Sequence, residues 1–207
     1  MNGGIVIRQP DPAQRILEAA ETLFARKGFD AVSIRDIARE AQVQSSTIYY
    51  YFKDKRGVYK SILEGSLSEL NDILESELED IKDPVEGFKK YINLYTEFLR
   101  RKSKTAHLVT NALFFEHEDL KYLSKKFWAR HYELVGGILL QGIGSGIFKP
   151  IDPYLLTVNI RGMILWYFMS SPITDLLPGM EDHRSRYDEK LAGEIIDVLL
   201  YGIIKDK

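Results

Sequence analysis

The sequence has no cysteine, which excludes a disulfide framework and thiolate chemistry from its 207 residues. It also lacks a long apolar run, because the most apolar stretch, residues 163–169, is followed at once by two serines and a proline. Residues 1–10 hold one arginine and at most three consecutive apolar residues, which is not the pattern of a signal peptide. These absences lead us to expect a cytoplasmic protein.

Sequence motifs of catalysis are missing too. There is no G-x-S-x-G elbow, and the glycine-rich run at residues 136–146 lacks the Lys-Ser/Thr pair of a phosphate loop. Acidic residues beside histidines form the one cluster that suggests a metal site: Glu116, His117, Glu118 and Asp119, with His107 or His131. A solvated helix start explains this cluster better. We therefore predict no enzyme, no metal and no cofactor, and keep a metal-dependent helical enzyme as the weakest alternative.

Charge is low overall but unevenly distributed. The net charge is −2, yet residues 1–60 carry ten Lys and Arg against seven Asp and Glu, a balance of +3 that leaves −5 for the rest. A basic end on an acidic body favours binding to phosphates at that end only. The hydrophobic content of 45% and the charged content of 28% are those of an ordinary globular protein with room for one large or two modest domains.

Two short helices joined by a tight turn are predicted for residues 33–52. Ser33 and Asp36 form a capping-box pattern, followed by an apolar stripe at helical spacing: Ile34, Ile37, Ala38 and Ala41. The second helix begins near Gln44 and turns Ile48 and Phe52 inward. A preceding helix, which begins at Asp11-Pro12 and ends in a Schellman-type stop at Gly28, supports them. A helix presenting short polar side chains on a partner helix is typical of a DNA-reading helix-turn-helix.

Residues 9–62 resemble the N-terminal domain of the TetR family of bacterial transcriptional regulators. The resemblance rests on A-x-x-L-F-x-x-x-G-F at residues 20–29, on D-I-A at 36–38, and on I-Y-x-Y-F with a following K-x-K at 48–55. Two positions differ from the family pattern, since Gln42 stands where the turn usually has glycine and Gln44 where Ser or Thr is usual. A non-glycine residue in a left-handed turn costs about 1 kcal/mol.

The resemblance implies an all-α fold in two parts. Residues 9–55 would be the three-helix DNA-binding domain, and a long fourth helix would lead into a helical effector-binding and dimerisation domain at 56–207. It also implies a transcriptional regulator, by analogy a repressor, that binds a near-palindromic double-stranded operator as a homodimer and is released by a small apolar or aromatic effector. The alternative is a sequence-indifferent architectural DNA-binding protein, against which the acidic body argues.

DNA contacts are predicted for the helix-turn-helix and the lysines after it. Base edges are assigned to Gln44, Ser45, Thr47 and Tyr50, and the DNA backbone to Ser33, Lys53, Lys55 and the Tyr49 hydroxyl. Arg35 and Ser46 complete the predicted surface. Tyr49 and Tyr51 could instead pack against the first and fourth helices.

The remaining chain reads as helices with many aromatic residues. Helices are expected from Asp83-Pro84, over 105–117, from Asp119, from Asp152-Pro153 to about 170, and from 188 to 204, with a loop at 172–186. The aromatic residues that could line an apolar pocket are Phe88, Tyr91, Tyr95, Phe98, Phe114, Phe127, Trp128 and Trp166.

The last two long helices predict a dimer. The helix from Pro153 is apolar nearly all round, interrupted by Asn159 and Arg161, and a helix of this kind must be buried on two sides. A four-helix interface between two copies provides the second burial, although both helices could instead be central to one monomer. The predicted interface residues are Val158, Leu165, Ile195, Leu199 and Ile203.

Overall fold

A computed structural model describes residues 11–112 and 121–204 and confirms the all-α fold class. The α-helices are α1 (Pro12–Lys27), α2 (Ile34–Glu40), α3 (Ser45–Phe52), α4 (Lys55–Leu78), α5 (Pro84–Arg101), α6 (Ser103–Ala112), α7 (Ala129–Gly144), α8 (Pro153–Thr174), α9 (His183–Tyr187) and α10 (Leu191–Ile203). Over these ranges no β-strand is formed, and the extended pairing is limited to an antiparallel bridge between Phe148 and Ile204. No helix in the described part of the chain is long and apolar enough to span a membrane.

The described chain divides into two compact units, the first ending at Gly65. In the first unit, α1, α2 and α3 contact one another around a core of fully buried side chains: Ile16, Ala20, Phe24, Ile37 and Ile48. The first turns of α4 belong to the same unit and bury Val58 and Ile62. Residues from Ser66 onward, including the rest of α4, form the second unit.

The helix starts follow the chemistry of their sequence. The side chain of Asp11 caps α1, and Asp83 and Asp152 cap α5 and α8 in the same way, each followed by proline in the first turn. The predicted stop of α1 lies at Gly28, whose φ of 78° is that of a glycine position. Its ψ of 162° is not left-handed helical, so the predicted Schellman turn is not formed, and the chain leaves α1 extended.

Helix α5 lies at the centre of the second unit, where it packs against α6, α7, α8 and α10. Its buried face is the one predicted from helical spacing: Phe88, Tyr91, Ile92, Tyr95, Phe98 and Leu99. Helix α8 adds Ile160 and Ile164 to this core, and α10 adds Ile195 and Leu200. The core thus draws on the buried faces of α5, α8 and α10.

Three features differ from the sequence prediction. Helix α8 continues through Pro172 to Thr174, because a proline in the last turn removes a single backbone hydrogen bond, and Thr174 Oγ1 donates to Ser170 O over 3.1 Å. The short helix α9 begins inside the predicted loop and ends one residue after it. Residues Ser124–Trp128 form a π-helical segment directly before α7, with Ala129 N bonded to Ser124 O.

Candidate DNA-reading surface and effector cavity

The start of α2 is held by reciprocal hydrogen bonds between Ser33 and Asp36. Asp36 N donates to Ser33 Oγ over 3.2 Å, while Ser33 N and Ser33 Oγ donate to Asp36 Oδ2 over 3.0 and 2.5 Å. The bonds from Ser33 lower the pKa of Asp36, and the nearby Arg39 guanidinium adds to this. The Ser33 hydroxyl, predicted to contact the DNA backbone, therefore already serves as the cap of α2. Arg35, the other predicted residue of α2, is exposed.

In the turn between α2 and α3, Gln42 has a left-handed backbone conformation, as expected for the residue at this position of the turn. Gln42 has a φ of 54°, in the left-handed region where the family usually places glycine. The turn is closed by Val43 N, which donates to Ala38 O over 2.9 Å. Gln44 follows as the N-cap residue of α3, but its side chain makes no capping hydrogen bond. The Gln44 side chain is exposed instead.

Helix α3 presents one polar and aromatic face outward. Ser46, Tyr49 and Tyr50 recur at helical spacing and are all exposed, Tyr50 by 83% and Tyr49 by 55%, and Lys53 directly after the helix is exposed as well. Ile48 on the opposite face is fully buried. Ser46, Tyr49 and Tyr50 form the outward face of α3.

Three side chains of this region lie differently from the expectation. Ser45 and Thr47, assigned to base edges, are half-buried, because they lie beside the inward-facing Ile48 on the side where α1 and α2 contact α3. Tyr51 does not pack into the core but remains 43% exposed, with its ring 5.1 Å from that of Tyr50.

Lys55 has a protein partner that the sequence did not reveal. Its Nζ donates to the carbonyl oxygen of Phe29 over 2.8 Å and lies 4.2 Å from the centre of the Phe29 ring. A lysine in the first turn of α4 opposes the helix dipole, and from the sequence alone this suggests a phosphate ligand. The Phe29 carbonyl and ring stabilise the ammonium group instead. Lys53, with a φ of 66° at the end of α3, is the exposed lysine of the pair.

Gly57 allows α3 and α4 to meet closely. A β-carbon at this position would overlap the carbonyl oxygen of Phe52, the last residue of α3. Asp54 caps the start of α4, its Oδ1 accepting from Gly57 N over 2.7 Å. Sequence reasoning missed Gly57 because a glycine in a helix gives no sign of what its α-carbon touches.

The second unit contains a cavity of about 50 Å³ between α4, α5, α6, the π-helical segment, α7 and α8. Most of its wall is apolar or aromatic: Leu67, Leu70, Tyr95, Phe98, Leu99, Val109, Phe127, Trp128 and Leu165. The polar lining residues are Ser66, Asn71, His131 and Arg161. The wider turn of the π-helical segment brings the consecutive residues Phe127 and Trp128 to the same cavity, and Asn71 Nδ2 holds it by donating to Phe127 O over 3.0 Å.

The polar end of the cavity is built on Arg161 and His131. His131 Nε2 lies 2.9 Å from the Tyr91 hydroxyl, and burial, helped by the Arg161 charge, lowers the pKa of His131 to about 3. Arg161 Nη1 donates to the Tyr132 hydroxyl over 3.4 Å, and Arg161 also bonds the Tyr95 side chain. Burial acts to lower the pKa of Arg161, but the surrounding tyrosines outweigh it and raise that pKa overall. The histidine is therefore neutral and the arginine charged at neutral pH.

The predicted pocket residues separate into four groups. Tyr95, Phe98, Phe127 and Trp128 line the cavity. Phe88 and Tyr91 do not, because both are completely enclosed in the core, Phe88 against the ring of Phe148. Trp166 lies outside the cavity with 70% of its surface exposed, and Phe114 falls outside the described residues.

The predicted interface residues also divide. Val158 is 39% exposed, whereas Ile195 and Ile203 are buried in the core of the unit, and Leu165 lines the cavity. Leu199 is half-buried against the core. Helical spacing could not separate the inner and outer faces of a helix that is apolar on both. The exposed apolar side chains of α8 and α10, here called the α8–α10 face, are Tyr154, Leu155, Val158, Met163, Trp166, Ile173, Val198 and Tyr201.

Metal ligands do not gather in the described ranges, where no group of three His, Cys, Asp or Glu could hold an ion. Four residues of the acidic cluster considered above, Glu116 to Asp119, lie outside those ranges.

Comparisons with known proteins agree with the helix-turn-helix geometry. Residues 16–62 match the family model described as bacterial regulatory proteins, tetR family. Over 144 residues, covering 67% of this chain and 68% of the relative, the chain is 30% identical to the HTH-type transcriptional regulator YfiR of Bacillus subtilis. It is 23% identical over 190 residues to the fatty acid metabolism regulator protein of the same species, covering 91% and 94% of the two chains.

The fold is also found among solved structures. The TetR family transcriptional regulator PfmR of Thermus thermophilus superposes with a TM-score of 0.76 at 22% identity, over 93% of this chain and 97% of that one. At this identity the similarity establishes the shared fold.

Proposed function

The chain belongs to the TetR family of bacterial regulatory proteins, and we propose that it represses transcription by binding a near-palindromic operator as a homodimer. As a family member it is a DNA-binding transcriptional regulator and not an enzyme. Regulators of this family bind DNA operators and small-molecule ligands as dimers. We assign DNA binding to residues 9–55, and effector binding and dimerisation to residues 56–207. Its place of action would be the bacterial cytoplasm, where the chromosome lies.

The outward face of α3 is the observation that carries this proposal. Ser46, Tyr49 and Tyr50 are exposed on a helix held from behind by the buried Ile48. Such a face supports insertion of α3 into the major groove, where hydroxyl groups bond base edges and tyrosine rings contact the thymine methyl group. Gln44 at the exposed start of α3 would read adenine, for which its amide is suited.

Contacts to the DNA backbone are assigned to residues on both sides of α3. Lys53 and Arg35 are exposed cations, and the Tyr49 hydroxyl is a further donor to phosphate. Lys55 is assigned a supporting role, because its ammonium group is bonded to Phe29. Phosphate contacts of this kind make binding depend on salt concentration.

The α8–α10 face supports the homodimer. Trp166 is 70% exposed and Tyr201 is 91% exposed, and large apolar side chains exposed on two neighbouring helices are typical of an interaction surface. A two-fold interface here would bury it and place two α3 helices on one operator.

The cavity supports control by a small effector. Its apolar walls fit an apolar or aromatic molecule, and one relative is by name a regulator of fatty acid metabolism. Binding that favours a form with lower operator affinity by about 1–3 kcal/mol is sufficient for release. Helix α4 contributes residues to both units and would carry this effect.

A footprint on the intergenic DNA beside the gene tests the proposal. We expect protection of a near-palindromic site whose two halves are at least one helical turn apart, about 34 Å. A double substitution of the outward face of α3, Tyr49→Ala with Tyr50→Ala, should abolish protection and leave the fold intact, because both side chains are exposed. Equal affinity for every duplex in a competition assay would contradict operator reading.

A further inference from the structure

Arg161 is a half-buried positive charge without a carboxylate partner in the described cavity wall. It interrupts the apolar sequence of α8, and its Nε is shielded from solvent and has no hydrogen-bond acceptor. Its other contacts are neutral: it bonds the Tyr95 and Tyr132 side chains, and the Tyr132 ring centre lies 5.6 Å away. Withdrawing an unpaired charge even partly from water is unfavourable, so an anion is expected to compensate it.

A second donor without an acceptor lines the same cavity. The indole Nε1 of Trp128 is also buried and makes no hydrogen bond. An indole N–H can only donate, and a guanidinium group has donors but no acceptor. Asn71 is already bonded to Phe127 O, so its amide group does not satisfy them. Two orphan donors on residues that line one cavity call for a ligand rich in acceptors.

We infer that this cavity binds an apolar molecule ending in a carboxylate, with the carboxylate on Arg161 and the Trp128 indole and the apolar body against Leu67, Leu70 and Phe98. The inference rests on the proposed function, because it names the chemistry of that effector. A carboxylate offers two oxygens and a single charge, matching one guanidinium group. A phosphate would bring a second charge into an apolar wall that has one cation. Water could bond the donors, but it would leave the charge of Arg161 uncompensated.

Calorimetry with dodecanoate and dodecanol tests the carboxylate directly at about pH 8, where the acid is ionised. Both probes must widen the cavity of about 50 Å³ by the same amount to enter, so this cost cancels in their comparison. The two probes have the same chain and differ in the head group. We expect the wild-type protein to bind dodecanoate at least about tenfold more tightly than dodecanol. Equal affinities, or binding of neither probe, would overturn the inference.

Substitutions assign the preference to the named residues. Arg161→Gln should reduce the preference for dodecanoate to about twofold or less, and Arg161→Lys should retain part of it, since the charge remains. Trp128→Phe keeps the ring but removes the donor and should weaken dodecanoate binding about fivefold without changing dodecanol binding. Arg130→Gln is the matched control, because Arg130 is a solvent-exposed arginine paired with Glu75 and Glu133, and this change should have no effect.

Thermal melting of each variant checks that it is folded. Should Arg161→Gln fail to fold, Arg161→Lys and Trp128→Phe decide the outcome, and an unchanged preference in both would overturn the inference. Operator affinity is measured separately with and without dodecanoate. Arg161-dependent binding with unchanged operator affinity would leave the inference standing and refute the effector role. If a ligand releases the protein from its operator but binds equally well to Arg161→Gln, the effector role stands and the inference about Arg161 is overturned.

Discussion

The ammonium group of Lys55 donates a 2.8 Å hydrogen bond to the carbonyl oxygen of Phe29 and lies over the ring of the same residue. This contact links the first turn of α4 to the segment that follows α1, within the first unit. Because of this contact Lys55 is partly buried and stabilises the fold, whereas Lys53, on the other side of Asp54, is exposed and available to a phosphate group.

The two lysines should respond differently to removal. Lys55→Met should lower the free energy of unfolding by about 1.5–3 kcal/mol, because a charged hydrogen bond is lost, and leave the salt dependence of operator binding unchanged. Lys53→Met should leave stability within about 0.5 kcal/mol and reduce the slope of log affinity against log salt by about one. Denaturant unfolding and binding titrations at several salt concentrations measure both. A reduced slope for Lys55→Met would instead restore the phosphate contact predicted from the sequence.

Gln42 is expected to limit the stability of the first unit. Its φ of 54° is unfavourable for any residue with a β-carbon, so Gln42→Gly should raise the free energy of unfolding by about 0.5–1 kcal/mol. Glu40→Gly, two residues earlier and still in α2, should lower it by a similar amount. Loss of stability in both variants would show that the turn is not strained.

Gly57 and Gly65 form a matched pair in α4. Gly57→Ala should destabilise the protein by about 1–3 kcal/mol, because the new methyl group would overlap the Phe52 carbonyl and force α3 away from α4. Gly65→Ala meets no atom within 4 Å and should stabilise the protein by about 0.5–1 kcal/mol through its higher helix propensity. Denaturant unfolding curves of the two variants measure this difference. Equal stabilisation of both variants would contradict the close contact between Gly57 and the Phe52 carbonyl.

Stability should fall in mild acid because of His131. Its pKa is about 3 in the folded protein and ordinarily 6.5, so the unfolded chain binds the additional proton as the pH drops below 6.5. The stability that neutral His131 contributes is complete above pH 6.5 and is lost progressively as the pH falls from 6.5 to about 3. Tyr91, Tyr95, Tyr132 and Arg161 surround the ring and offer no anion to hold a charged imidazole.

The pH effect is measured by comparing unfolding at about pH 8 and pH 5. The wild-type protein should lose about 2 kcal/mol more than His131→Gln between these two values. The glutamine can still bond the Tyr91 hydroxyl but does not titrate. Equal losses in the two proteins would show that His131 is not the group responsible.

The α8–α10 face should hold the dimer together. Trp166→Glu or Tyr201→Glu should convert a dimer into the 23.8 kDa monomer in sedimentation, because each places a charge in the proposed interface. Leu140→Glu is the control, since Leu140 is 60% exposed on α7 and should leave the dimer unchanged. Sedimentation of the wild-type protein as a monomer at micromolar concentration would refute the interface.

Much of the first unit could be predicted from sequence because its signals are local. The capping box of Ser33 and Asp36 and the inward Ile48 each depend on residues a few positions apart, whereas the left-handed turn at Gln42 was expected from the family resemblance and not from the glutamine itself. The exposed or buried state of a side chain beside Ile48 depends on neighbouring helices, and there the prediction was less accurate. Ser45 and Thr47 are half-buried for that reason.

The sequence by itself determined the long helices, their aspartate and serine caps, the DNA-reading motif and the apolar character of α8 and α10, since helical periodicity and capping are properties of short segments. Tertiary structure alone decided which side of α8 meets the core, the cavity or solvent, placing Ile164, Arg161 and Trp166 on three different sides. It also decided that Lys55 bonds Phe29, across 26 positions of the chain. Contacts between residues far apart in sequence arise from packing, and packing leaves no periodic trace in any one segment.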